Sequence, residues 1–154
     1  MKLSKKAEYA LRALTCLGAP GAPPVVSIQE IADQANIPKK FLEQVLLALK
    51  KAGLVHSSRG KAGGYSLHAA PARVTLGDII QAVDGPFAPL PCADATAPVA
   101  CPDCVGLEHC WLRGVMTEVR RAVVAGCEQF TLADLCRRAE DGRRRAGQAL
   151  MYEI

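Results

Sequence analysis

Apolar residues in the first half of the chain fall into helical stripes separated by turn signals. Ala7, Ala10, Leu11, Leu14 and Leu17 recur every three or four positions, which predicts a helix over residues 4–17. A Gly-, Ala- and Pro-rich run at 18–24 ends it. Ser27 and Glu30 have the spacing of a capping box, in which hydroxyl and carboxylate each satisfy an orphan backbone amide. They open a short helix to about Ala35 that turns Ile28, Ile31 and Ala32 inward. Asn36 and Ile37 make a turn, and Pro38 suits the first position of a further helix, where its missing N–H costs nothing. That helix runs to about Ala52 with Phe41, Leu42, Val45, Leu46 and Leu49 on its inner face, and Gly53 caps it. Strands at 54–57 and 65–67 flank a connection holding Gly60, Gly63 and Gly64, the pattern of a tight hairpin.

The second half is patterned differently. Thr75 and Asp78 start a helix that reaches about Val83, and residues 84–109, rich in proline and alanine, read as loop. Leu112, Val115, Met116, Val119 and Val123 then form one apolar stripe on a long helix from Trp111 to about Ala125. A short helix begins at Thr131, and the Arg-, Gly- and Ala-rich tail beyond Arg138 is expected to fray. The fold class is therefore mainly α with a small β-wing. A winged helix-turn-helix domain spans 1–83, a cysteine-rich loop 84–110, a dimerisation helix and C-terminal helix 111–138, and a flexible tail 139–154. The apolar stripe on the long helix needs a partner to bury it, which predicts a homodimer.

Charge sharpens the picture. Residues 38–61 carry Lys39, Lys40, Lys50, Lys51, Arg59 and Lys61 against Glu43 alone, whereas the whole chain has a formal net charge of only +4. A basic patch on a neutral body fits a phosphate backbone, and double-stranded DNA is the expected partner. Lys39, Lys40, Glu43 and Gln44 fall opposite the apolar stripe of the recognition helix. Gln44 has the donor–acceptor pair for adenine, Glu43 accepts from cytosine, and the lysines suit guanine or phosphate. Arg59 and Lys61 lie in the wing, where an arginine fits a narrow minor groove. No phosphate-cradling glycine loop and no catalytic arrangement around His56, His68 or His109 supports an enzyme. Neither a signal-peptide pattern nor an apolar run of membrane-spanning length is visible, so the expected address is the cytoplasm, with no membrane partner.

Seven cysteines in a reducing compartment argue for metal or redox chemistry over a disulfide framework. Cys92, Cys101, Cys104 and Cys110 have the compact spacing C-x8-C-x2-C-x5-C within the loop. Thiolates gathered in this way close around a soft metal centre, and the spacing suits zinc as well as iron–sulfur. Cys16, Cys127 and Cys136 lie on or beside apolar helix faces and read as small hydrophobes.

The segments 5–14, 28–32, 37–46 and 59–65, with Leu76-Gly-Asp-Ile-Ile80, Cys104-x5-Cys110 and Thr131-Leu-Ala-Asp-Leu135, resemble the IscR/NsrR-type family of bacterial transcriptional regulators. The resemblance covers nearly all of the chain up to Arg138. It implies a homodimeric winged-helix regulator whose operator binding is controlled by a 2Fe–2S or 4Fe–4S cluster sensing redox state, nitric oxide or iron. In that comparison Cys92, Cys104 and Cys110 match the three ligating cysteines, and Cys101 is an alternative or fourth ligand. Glu8 matches an acidic ligand given by the other subunit in some members. Asp33 and Arg113 stand where other members place a ligating histidine, and His109 is out of that register. A zinc-stabilised repressor answering a different effector, or thiol oxidation, remains the alternative.

Overall fold

The computed structural model describes residues 3–60, 62–104 and 106–152, with side chains through residue 146. Six helices and one hairpin follow one another: α1 (Lys5–Leu17), α2 (Ile28–Ala35), α3 (Lys39–Lys51), β1 (Val55–Ser58), β2 (Gly64–Leu67), α4 (Leu76–Asp84), α5 (Trp111–Glu128) and α6 (Leu132–Tyr152). Local chemistry sets the helix starts. The Ala7 amide donates to Ser4 Oγ at 2.9 Å, and capping boxes at Ser27/Glu30 and Thr75/Asp78 open α2 and α4. Between α2 and α3, Asn36 takes the left-handed conformation at φ 49°, which its short polar side chain tolerates, and Ile37 is buried behind it.

The core joins α1, α2, α3 and α4 through Ala10, Leu14, Ile31, Leu42, Leu46, Leu49 and Ile79, all with no exposed surface. Two further bonds tie the ends of α1 and α4. Ser4 Oγ donates to Asp84 Oδ1 at 2.6 Å, and Lys6 Nζ donates to the Val83 carbonyl at 2.9 Å. The wing is antiparallel, with Val55 opposite Leu67 and Ser58 opposite Gly64. Val26 exchanges both backbone bonds with Tyr65, so the segment before α2 forms a third rung that the patterning of the sequence does not show. Gly64 is required there, because a Cβ would run into the Val26 carbonyl oxygen.

Two expectations are corrected. Phe41 is not part of the inner stripe of α3: it is 56 % exposed, while Leu42, Val45, Leu46 and Leu49 are buried. Positions 42, 45, 46 and 49 complete a one-sided helical stripe, and Phe41 falls outside its edge. The chain beyond Arg138, expected as a flexible tail, is α6 continued to Tyr152. Thr131 and Asp134 cap this helix reciprocally, and the ion pair of Arg144 with Glu140 supports its solvated second half at helical spacing. Its first turns return to the winged core, where Leu132 and Cys136 are buried. The amides of Leu76 and Leu132 bond the Phe130 and Val74 carbonyls, at 2.8 and 2.7 Å, and so fasten the start of α6 to the start of α4.

Helix α5 contrasts with all of these. None of its residues is buried, and Trp111, Leu112, Val115 and Val119 are exposed large apolar side chains. Among the described residues, no helix is long and apolar enough to cross a membrane.

Candidate nucleic-acid interface and thiol site

Burial of Leu42, Val45, Leu46 and Leu49 fixes the rotation of α3 and thereby turns Lys39, Lys40, Glu43 and Gln44 outward, all four exposed. Asn36 and Pro38 place the α3 N-terminus at the surface, the end that helix-turn-helix proteins present to a major groove. Phe41 shares this outer surface, a residue whose apolar character concealed its position. The wing is braced against α3 by Lys50 Nζ, which donates to Ser57 Oγ at 2.6 Å. At its root the His56 and His68 rings meet edge to face, with centroids 4.4 Å apart. Arg59 is exposed at the tip, next to Gly60 at φ 110°. Lys61 lies outside the described residues.

The four loop cysteines occupy distinct settings. Cys92 is buried in a short 3-10 turn, Pro91–Ala93. Cys101 is exposed, Cys104 is half-buried, and Cys110 is the N-cap residue of α5. Although its residue is exposed, the Cys101 thiol is raised above its ordinary value, first by loss of water around the sulfur. The neighbouring Cys104 thiol and, more weakly, Cys92 add to this. The donor set is soft and suits zinc or iron. Among the described residues, no three His, Cys, Asp or Glu side chains stand in a metal-holding arrangement.

The loop has its own order. Asp94 Oδ1 accepts from the Thr96 amide at 2.7 Å, the Thr96 hydroxyl at 2.8 Å and the Ala97 amide at 3.0 Å, which lowers the Asp94 carboxyl below its ordinary range. The Val99 amide reaches back to the Pro91 carbonyl at 3.1 Å, and the Cys104 amide to the Cys101 carbonyl at 3.1 Å. These turns give the chain between Pro91 and Cys104 a local backbone order. They were not legible in composition, which suggests only an irregular loop.

The remaining candidates separate cleanly. Glu8 is held by Lys5 Nζ at 2.6 Å and Arg12 at 3.5 Å, and the Lys5 bond above all keeps its carboxyl below the ordinary range. Asp33 accepts from Gln29 at 3.0 Å. His109 is exposed beside Glu108. Cys16 and Cys136 are buried, and burial raises both thiols, the setting of inert core cysteines. Arg113 is no ligand, since a guanidinium does not give up its proton. Its Nε instead donates to the Cys92 carbonyl at 2.8 Å and one terminal nitrogen to the Leu107 carbonyl at 3.2 Å.

Comparison with known proteins bears on the fold and the family. Residues 3–138 match the family model Rrf2, iron-dependent transcriptional regulator. An rrf2-like HTH-type transcriptional regulator of Rhodobacter capsulatus is 40 % identical over 136 residues, covering 86 % of this chain and 91 % of the relative. The solved structure of CymR, the global cysteine regulator of Bacillus subtilis, superposes with a TM-score of 0.68 at 32 % identity, covering 88 % of this chain and 96 % of CymR. T. potens IscR superposes with the same score, 0.68, at 28 % identity, covering 92 % and 90 %. With its capped helix-turn-helix, its wing and a match from the first helix into the last, this chain belongs to the Rrf2 family of winged-helix, DNA-binding transcriptional regulators.

Proposed function

We propose that the chain is a homodimeric regulator whose operator affinity is set by an iron–sulfur cluster, with redox state, nitric oxide or iron as the signal. The observation that carries this reading is the placing of Cys92, Cys101, Cys104 and Cys110 at C-x8-C-x2-C-x5-C spacing in one loop whose last cysteine is the N-cap of α5. Cys92, Cys104 and Cys110 are the proposed ligands. Cys101 is the alternative or fourth, and Glu8 of the partner subunit is a lesser candidate because it would have to leave Lys5 and Arg12. The family's description as iron-dependent favours iron over zinc. When bound, the cluster supplies a redox-sensitive and nitric-oxide-sensitive centre of negative charge.

The chain's own residues then do the rest. Lys39, Lys40, Glu43 and Gln44 meet the major groove, while Arg59 and Lys61 approach the backbone or minor groove through the wing. The uncovered stripe of α5 packs on its copy and sets the distance between two such reading heads. Ligation at the start of α5 changes the angle at which that helix leaves the winged domain. A cleft of about 340 Å³ between α4 and the C-terminal half of α5, lined in part by Ile80, Phe87, Val123 and Cys127, leaves room for such a change.

Anaerobic purification tests the reading. Brown protein with stoichiometric iron and sulfide is expected, with Cys104→Ala and Cys110→Ala each colourless yet folded. In the same preparation Lys39→Ala should lower the salt slope of DNA binding by about one unit. Colourless wild-type protein carrying zinc would instead establish the second reading, a zinc-stabilised repressor with another effector. The Cys101-x2-Cys104 spacing and the count of four thiols favour that alternative.

A further inference from the structure

Arg113 spans the thiol site without being able to join it. It sits in the first turn of α5, three residues after Cys110, and its two bonds end on carbonyls at opposite ends of the loop, Cys92 and Leu107. The planar guanidinium presents these donors at fixed angles, so both carbonyls are held in one geometry relative to α5. Arg120, one heptad further along α5, makes no such clamp: its Nε is buried without a hydrogen-bond partner among the described residues.

We propose that Arg113 is a positioning residue for the thiol site. Its clamp fixes Cys92, in its 3-10 turn, relative to Cys110 at the head of α5. The Cys92 backbone is thus held against the helix that Cys110 opens, and the ordering cost of ligation is reduced. This inference rests on the proposed reading only in its second consequence, uptake of iron. Its first consequence is a property of the metal-free chain. Removing the clamp frees the 92–110 loop from α5 while the winged core, which does not use Arg113, keeps its stability. The clamp also makes movement of α5 felt at the Cys92 backbone, through bonds and not through packing.

The test compares wild type, Arg113→Lys and Arg113→Gln, with charge kept but the fork lost in the first and both lost in the second. Backbone amide exchange is measured on the metal-free full chain. In Arg113→Gln, amides between residues 92 and 110 should exchange faster by about tenfold or more, since both bonds from the charged donor are lost. Amides of α1 to α4 and the thermal unfolding midpoint should stay at wild-type values. Arg113→Lys should lie between the two. Anaerobic loading with ferrous iron and sulfide should then give less iron per chain in the same order. Unchanged loop exchange in Arg113→Gln overturns the inference, and so does wild-type exchange in Arg113→Lys, which would leave only a charge effect. If Arg113→Gln does not fold, the lysine variant alone decides, intermediate exchange supporting the clamp and wild-type exchange refuting it. Failure of wild-type protein to take up iron sinks the cluster reading, and the exchange comparison still judges the clamp.

Discussion

Leu42 and Phe41 are chain neighbours with opposite energetic weight. Leu42 has no exposed surface, so truncation to alanine leaves a cavity in the middle of the winged core, at a cost of about 2–5 kcal/mol. Phe41 is 56 % exposed, and Phe41→Ala should change stability by only about 0.5 kcal/mol in either direction. Denaturant unfolding of the two variants checks this, and a large loss in Phe41→Ala would place its ring in the core after all. The periodicity of α3 was legible in its sequence, but the edge of the stripe was not, because an aromatic residue is scored as inward whatever its angle. The cysteines show the reverse. Their spacing separated the loop thiols from Cys16 and Cys136, which are buried in the winged core, but burial does not follow the same division, since the loop thiol Cys92 is buried and Cys127 is half-buried. What spacing could not reveal is Arg113, because the backbone carbonyls it bonds leave no trace in residue identity.

Elements with local causes were readable: the capping boxes of α2 and α4, the Asn36 turn and the glycine-rich hairpin each depend on residues a few positions apart. The Val26–Tyr65 rung was not, because it depends on a carbonyl brought from 39 positions away. It makes Gly64 a structural requirement of the wing. Gly64→Ala must push Val26 aside, and overpacking of this kind costs about 1–3 kcal/mol. Faster amide exchange at Val26 and Tyr65 in that variant is expected, and wild-type exchange with wild-type stability would show that the two segments are not locked together. The length of α6 was also missed. Its second half is solvated and Arg-rich, and composition alone does not distinguish a frayed tail from a helix carrying ion pairs at i,i+4 such as Glu140–Arg144.

At the scale of the whole molecule, the winged half has a complete core, whereas α5 has no buried residue and an exposed apolar stripe. This asymmetry is the physical ground for the proposed homodimer. Val115→Asp with Val119→Asp should yield monomers by light scattering, with the winged core still folded and affinity for a palindromic site lost. A dimeric double variant would move the interface elsewhere. The central claim is that chemistry at the cysteine loop reaches the DNA-reading surface through the helix that follows it. The most direct measurement is the operator affinity of cluster-loaded and cluster-free protein, titrated anaerobically on the same DNA at the same salt. The account predicts Kd values that differ by about 5–150-fold, the range of a coupling free energy of 1–3 kcal/mol. Equal Kd values for the two forms would contradict it.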